Sequence, residues 1–145
     1  MLNVDQIAPA VIGLESLWSK TKGDPGVCIA LLDGPVDLAH PCFVGAELTR
    51  IETLVRGHAG KDAASEHGTH VASVIFGQHG GPVKGIAPRC RGLIIPIYSG
   101  AKGDSLACSQ LDLARAINQA VANGAHVINI SGGELAQSGT AEPIL

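Results

Sequence analysis

Three short segments of this chain consist almost entirely of apolar residues, at positions 27–32, 93–97 and 127–130. A strand with one face in water alternates apolar and polar residues, whereas a strand covered on both faces does not. Uninterrupted apolar runs of this length are typical of parallel strands that lie between two layers of helices. The sequence therefore predicts a parallel sheet with helices on both faces.

Helical patterns lie between the predicted strands. One helix is predicted from about His67 to Phe76 with Gly77 as its stop, and a second from Gln110 to Asn123 with Gly124 as its stop. A shorter apolar helical pattern covers residues 11–18. Strands that alternate with helices indicate right-handed crossovers, so the predicted class is α/β, a doubly wound sheet in three layers.

Two further segments refine this prediction. Residues 48–55 alternate imperfectly and predict a strand near an edge of the sheet. Pro96 removes a backbone donor from the strand predicted at residues 92–98, which indicates a bulge or an edge position there. Uniformly apolar strands need more covering helices than these residues supply, so the sequence predicts the front part of a larger domain.

Composition narrows the classes of partner. The net charge is −3 and no cluster of lysines and arginines occurs, so we expect neither nucleic acid nor an anionic membrane as a partner. The longest apolar runs are far shorter than the roughly 20 residues that span a bilayer. Residues 1–20 show no basic start followed by an apolar stretch, which predicts a cytoplasmic location.

Four cysteines occur at positions 28, 42, 90 and 108, and none has the C-x-x-C spacing of a metal or redox motif. Buried free thiols are the expected state. A bridge from Cys42 to Cys90, or from Cys90 to Cys108, stays open as an alternative.

Asp33 and His67 carry the clearest chemical signal. Asp33 follows the first apolar strand, and His67 stands where the first long helix is predicted to begin. The carboxyl ends of parallel strands and the starts of the following helices share one edge of the sheet, where ligands bind. A buried aspartate that faces a histidine there fixes the tautomer of the ring and steadies the imidazolium, as a general base for a serine requires.

Other interpretations of the same residues remain open. Asp33 alone could cap a turn, and His67 with His70 could bind a metal, although no third ligand follows at suitable spacing. Gly132-Gly133 could form a phosphate loop, but no Gly-x-x-x-x-Gly-Lys motif accompanies it. We therefore predict no metal site and no cofactor.

Four blocks of the sequence together resemble the subtilisin-like serine proteases, the subtilase or S8 family. They occur in the family's order: Leu31-Leu32-Asp33-Gly34-Pro35-Val36-Asp37 with His40-Pro41, His67-Gly68-Thr69-His70-Val71-Ala72, Gly85-Ile86-Ala87-Pro88, and Val127-Ile128-Asn129-Ile130-Ser131-Gly132-Gly133. The chain is more narrowly similar to the cyanobactin maturation proteases, which excise ribosomally made peptides from precursors. The residues that carry this similarity are Gly13-Leu14, Leu17-Trp18, Gly23-Asp24-Pro25, and Leu32-Asp33-Gly34-Pro35-Val36-Asp37 with His40-Pro41-Cys42-Phe43.

The resemblance implies a role for each matching residue. Asp33 becomes the aspartate of a Ser-His-Asp triad and His67 the base, while Ser131, Gly132 and Gly133 bind the backbone of a peptide substrate. The segment departs from the commoner Ser-Leu-Gly-Gly pattern at Gly132. The family's calcium ligand after His-Pro is replaced by Cys42, a poor ligand for a hard cation, so the resemblance implies that this calcium site is lost.

Two parts of the family pattern do not occur in this sequence: the Gly-Thr-Ser-Met-Ala block of the nucleophile and the Ala-Ala-Gly-Asn block of the oxyanion asparagine. We therefore interpret residues 1–145 as the N-terminal part of a subtilisin-like peptidase domain that does not hydrolyse peptides alone. Its partners would be a precursor peptide and the remaining C-terminal part of the domain, covalent or as a second chain. The alternative is a degenerate subtilase module that binds extended peptide without cleaving it.

Overall fold

The computed structural model describes residues 13–53, 55, 60, 62–98 and 108–132. In chain order, the described part contains α1 (Leu14–Lys20), β1 (Cys28–Asp33), β2 (Leu48–Arg50), α2 (Ala63–Phe76), β3 (Arg91–Pro96), α3 (Gln110–Ala122) and β4 (Val127–Ile130). A single 3₁₀ turn, Pro41–Phe43, lies between β1 and β2. The order of strands and helices is the alternation that the sequence predicts.

The described strands form one parallel sheet in the order β2-β3-β1-β4. β1 lies inside the sheet, since it pairs with β3 on one side and with β4 on the other. In this register Asp33 lies opposite Pro96, and Leu32 lies opposite Ile130. The last residues of three strands therefore meet at one edge of the sheet.

Each face of the sheet is covered by a different helix. Leu31 and Ile94 belong to a buried cluster with Ala72 and Phe76 of α2. The neighbouring strand residues face the other way, into a cluster that contains Ala116 and Ala120 of α3; they are Ala30, Leu32, Leu93 and Ile95. Both faces are buried, which explains why the strands are apolar at consecutive positions. The predicted α/β class with helices on both faces is confirmed.

Two strand predictions differ from the structure in detail. β2 is much shorter than the predicted strand at residues 48–55, although it does lie at the edge of the described sheet. β3 is an inner strand, but the edge predicted at Pro96 is present locally, because β2 ends before it reaches that position. Gly92 donates its N–H to the carbonyl of Glu47 on the β2 side. Position 96 faces that same side, beyond the end of β2, so its missing N–H leaves no strand bond unmade.

α1 and the cysteines complete the described core. Trp18 of α1 is buried, and its Nε1–H donates to the carbonyl of Ile86 at 3.1 Å. All four cysteines are free thiols, and Cys28, Cys42 and Cys90 are buried. The predicted free thiols are therefore confirmed, and neither alternative bridge is formed.

Candidate active site

Asp33 is the last residue of β1 and is 1% exposed. Its Oδ1 accepts a hydrogen bond from its neighbour's backbone, Gly34 N–H, at 2.5 Å. Within the described residues its Oδ2 has no hydrogen-bond partner. The carboxylate is thus held in a buried position by the backbone turn that follows its own strand.

His67 lies directly beside this carboxylate. Its Nδ1 is 2.8 Å from Asp33 Oδ1, while its side chain is 46% exposed. An ionised carboxylate can only accept, so in that state Nδ1 carries the proton, and a neutral ring keeps its lone pair on Nε2. The structure therefore brings together the two residues that the sequence singles out. The ring is hydrogen-bonded through Nδ1, and its side chain is accessible to solvent.

α2 begins earlier than the sequence predicts. Its N-cap is Asp62, whose Oδ1 accepts from Ser65 N–H at 2.9 Å, and its first residue is Ala63. His67 is therefore the fifth residue of the helix, where the field of the helix terminus has largely decayed. The contact with Asp33, rather than the helix terminus, is therefore the interaction that orients this imidazole.

Two glycines allow α2 to approach the end of β1 this closely. A Cβ at Gly34 would overlap the carbonyl oxygen of Ala64, and a Cβ at Gly68 would lie 2.5 Å from the carbonyl oxygen of Gly34. Contacts under about 3 Å do not occur for real Cβ atoms, so backbone meets backbone here. Gly34 and Gly68 each adjoin a residue of the pair, and this backbone contact sets the distance between Asp33 and His67.

The predicted peptide-binding segment lies at the same edge of the sheet. Ser131 follows β4, and its N–H donates to the carbonyl of Leu32 at 3.3 Å. Its Oγ accepts from Asn129 Nδ2 at 2.6 Å. Gly132 is exposed, and Gly133 lies outside the described residues. Ser131 and Gly132 therefore lie beside the end of β1.

Tyr98 is a residue of this edge that the sequence analysis did not single out. It follows β3, is 8% exposed, and its hydroxyl occupies the space that a Cβ at Gly132 would need. Burial, with smaller contributions from Cys108 and Asp33, raises the pKa of Tyr98 above its ordinary value. The phenol therefore stays neutral. The sequence contains one signal for this residue: Tyr98 is an aromatic residue directly after the apolar segment at residues 93–97.

The position at which the resemblance implies a lost calcium ligand is fully buried. Cys42 is 0% exposed, and its Sγ lies 2.9 Å from His40 Nδ1. Burial raises the pKa of the Cys42 thiol, which keeps it protonated and unsuited to a hard cation. Among the described residues no group of three or more histidines, cysteines and acidic residues could hold a metal ion.

The structure is thus that of a parallel α/β protein, with a carboxylate–imidazole pair at the carboxyl end of an inner strand of its sheet. Residues 24–143 match the family model described as Peptidase S8, the subtilase family. The chain belongs to the subtilase family.

Among the described residues no helix is long and apolar enough to cross a membrane.

Three relatives illustrate the similarity. The structure of the prenylagaramide maturation protease PagA is 55% identical, with a TM-score of 0.76, over 91% of this chain and 44% of that chain. The PatG macrocyclase in complex with peptide is 27% identical, with a TM-score of 0.65, over 86% of this chain and 48% of that chain. The thermophilic serine proteinase of Bacillus sp. (strain AK1) is 31% identical over 128 residues, 87% of this chain and 31% of the relative. The chain thus spans less than half the length of each.

Proposed function

We propose that this chain is the aspartate- and histidine-bearing part of a subtilisin-like serine endopeptidase that processes a ribosomal precursor peptide in cyanobactin-type maturation. The observation that carries the proposal is the 2.8 Å contact between His67 Nδ1 and the buried Asp33 Oδ1. Membership of the subtilase family supports the reaction class. Identity of 55% to a prenylagaramide maturation protease supports the substrate class.

In this mechanism Asp33 orients and stabilises the histidine, and His67 transfers the proton. Asp33 keeps the proton on His67 Nδ1, so that Nε2 takes the proton of a serine hydroxyl as the hydroxyl attacks the peptide carbonyl. Asp33 stays ionised and stabilises the imidazolium that forms. His67 then returns the proton to the leaving amine, and the acyl group passes to water or to an amine.

The serine and the oxyanion donor come, in this proposal, from the remaining part of the peptidase domain, because neither block occurs in residues 1–145. The substrate backbone lies along Ser131, Gly132 and Gly133. Similarity to a macrocyclase structure determined in complex with peptide supports a peptide ligand. Extended peptides bind such edges through backbone hydrogen bonds, while side-chain pockets supply selectivity.

Kinetics of variants of the complete peptidase domain test the pair. We expect His67→Ala and Asp33→Asn to lower kcat by about 10⁴-fold with little change in KM, because each removes part of the proton-transfer unit and leaves the binding edge intact. His70→Ala is the matched control, since His70 lies exposed one turn further along α2. Parent-like turnover by either variant of the pair would overturn the assignment.

A fluorophosphonate probe with intact-mass analysis tests the reaction class and separates it from peptide binding alone. We expect the probe to label one serine in the parent and to label it far more slowly in His67→Ala, since the serine then lacks its base. A parent that binds precursor peptide with no labelling and no turnover, and binds it equally well as His67→Ala, would instead identify a module that captures peptide without cutting it.

A further inference from the structure

Tyr98 lies across the end of β1, next to both segments that flank Asp33. On one side, Ile97 N–H donates to the carbonyl of Asp33 at 2.7 Å. On the other side, Ser131 N–H donates to the carbonyl of Leu32 at 3.3 Å. Because β1 lies between β3 and β4, a side chain that follows β3 must pass over the end of β1 to touch the residues after β4.

The Tyr98 hydroxyl makes that crossing and ends at Gly132. A Cβ built on Gly132 would overlap the hydroxyl oxygen and would lie 2.8 Å from the ring carbon that bears it. Gly132 has no positive φ that would demand glycine, so the reason for a glycine here is the space taken by Tyr98. Positions 98 and 132 share one volume that only one of them fills.

The surroundings of Tyr98 hold its ring in place. Tyr98 belongs to the buried cluster that also contains Leu32, Ile97 and Ala64, and it is 8% exposed. A buried ring has few alternative positions, since protein interiors are packed at crystal density. Gly132, in contrast, is exposed. The buried ring is therefore the fixed member of this contact, and the backbone at Gly132 is the exposed member.

We propose that Tyr98 is a positioning residue for the peptide-binding backbone: its phenol takes the volume of a side chain at position 132 and thereby sets where Ser131 and Gly132 lie relative to Asp33. This inference rests on the proposed function, because it assigns a purpose to an edge that binds substrate peptide. It predicts that the two positions are energetically coupled and that the coupling acts on substrate binding.

Four forms of the complete peptidase domain test the coupling: the parent, Gly132→Ala, Tyr98→Leu, and the double variant. We expect Gly132→Ala to raise KM for a precursor peptide about tenfold or more, because the added methyl group displaces the binding backbone. The double variant should return KM to within about threefold of the parent, because leucine vacates the space that alanine needs. Gly80→Ala is the control, since a Cβ there meets no atom within 4 Å.

Labelling of the serine by a fluorophosphonate separates displaced peptide binding from general damage to the site, because damage lowers labelling and raises KM together. We expect Gly132→Ala to raise KM by a larger factor than it slows labelling, because Asp33 and His67 keep their contact while peptide binding changes. A double variant whose KM is as high as that of Gly132→Ala, or higher, would overturn the inference. So would a Gly132→Ala variant whose KM equals that of the parent.

Poor folding of a variant leaves the same test in place. If Gly132→Ala is recovered only unfolded, recovery of folded double variant supports the shared volume, and its failure to fold contradicts it. If the parent neither labels nor cleaves peptide, the proposed protease function fails, whereas the coupling between positions 98 and 132 is still measured by thermal unfolding of the four proteins. The two failures are therefore distinguishable.

Discussion

At the scale of single residues, the arrangement around Asp33 depends on one oxygen. Oδ1 accepts from both Gly34 N–H and His67 Nδ1, whereas Oδ2 has no partner among the described residues. A carboxylate held by backbone and imidazole together cannot turn without losing both bonds. The buried aspartate is thereby fixed in the orientation that keeps the histidine ring in one tautomer.

Cys42 leads to a prediction for alkaline pH. Burial raises the pKa of its thiol, so the folded state keeps this proton to higher pH than the unfolded state, whose thiol ionises near pH 9. Above about pH 9 the unfolded state therefore loses the proton first, and the free energy of unfolding falls as pH rises. Below that pH this contribution is fully present.

Urea unfolding of the parent and of Cys42→Ala at pH 7, 9 and 10.5 measures this contribution. We expect Cys42→Ala to be less stable at pH 7, because a buried side chain is truncated, yet to lose less stability between pH 9 and 10.5. Parallel curves for the two proteins would show that this thiol does not couple to folding.

The sequence predicts the Asp33 and His67 positions better than it predicts their neighbours. Both residues lie in blocks that resemble a family, so their proximity follows from motif order and from the shared edge of the sheet. The contact between Tyr98 and Gly132 has no such signal, because the two are 34 positions apart and a glycine next to another glycine is typical of a turn. Only the strand order shows that a side chain after β3 reaches the residues after β4.

At the scale of elements, the close approach of α2 to the turn after β1 determines the geometry of the pair. Gly34 and Gly68 face each other backbone to backbone. The helix is also fixed at its start by the Asp62 cap and continues to Phe76 in the core. His67 therefore lies on a helix that is fixed at its start, at its end and next to His67 itself.

Gly68→Ala tests this contact. In an unconstrained helix, glycine to alanine stabilises by about 1 kcal/mol, because alanine has the higher helix propensity. Here the added methyl group meets the Gly34 carbonyl, so we expect the reverse sign, a loss of about 1–3 kcal/mol, and a fall in turnover. Chemical denaturation and kcat measure the two effects, and a stabilised variant with parent-like turnover would contradict the account.

The boundaries of elements were less predictable than their order. Ala63, Ala64 and Ser65 add no apolar periodicity, so the predicted start of α2 fell at His67, although the Asp62 cap marks the true start. β2 ends at Arg50 because its pairing with β3 ends opposite Ile94, which alternation in one segment does not reveal. The short β2 also explains Pro96: position 96 lies past the pairing of Arg50 with Ile94, so the side of β3 that lacks an N–H has no strand partner there.

At the scale of the whole molecule, β4 is one edge of the described sheet and carries exposed apolar side chains. Within the described residues it pairs with β1 alone, and its Val127 and Ile130 are 51% and 42% exposed. Leu111 and Val121 of α3 are exposed as well. An unpaired strand edge with apolar side chains is a template for pairing with another chain.

We therefore expect the isolated 145-residue chain to self-associate, measured by sedimentation velocity over a range of concentrations. Val127→Lys should shift the distribution toward monomer, because a charge on an edge strand opposes pairing. Lys84→Arg, at an exposed position outside the sheet, is the control. A parent that sediments as a compact monomer would show that this edge does not drive association.

The backbone contact between Gly34 and Gly68 also makes the scaffold reusable. Because the close approach at Gly34 and Gly68 is between main-chain atoms, the backbone separation of positions 33 and 67 does not require the particular side chains that occupy them. Two cysteines, two imidazoles or a lysine with a carboxylate installed at these positions would inherit the same backbone spacing. The fold thus offers protein engineers a pair of adjacent anchor points for chemistries other than the one proposed for Asp33 and His67.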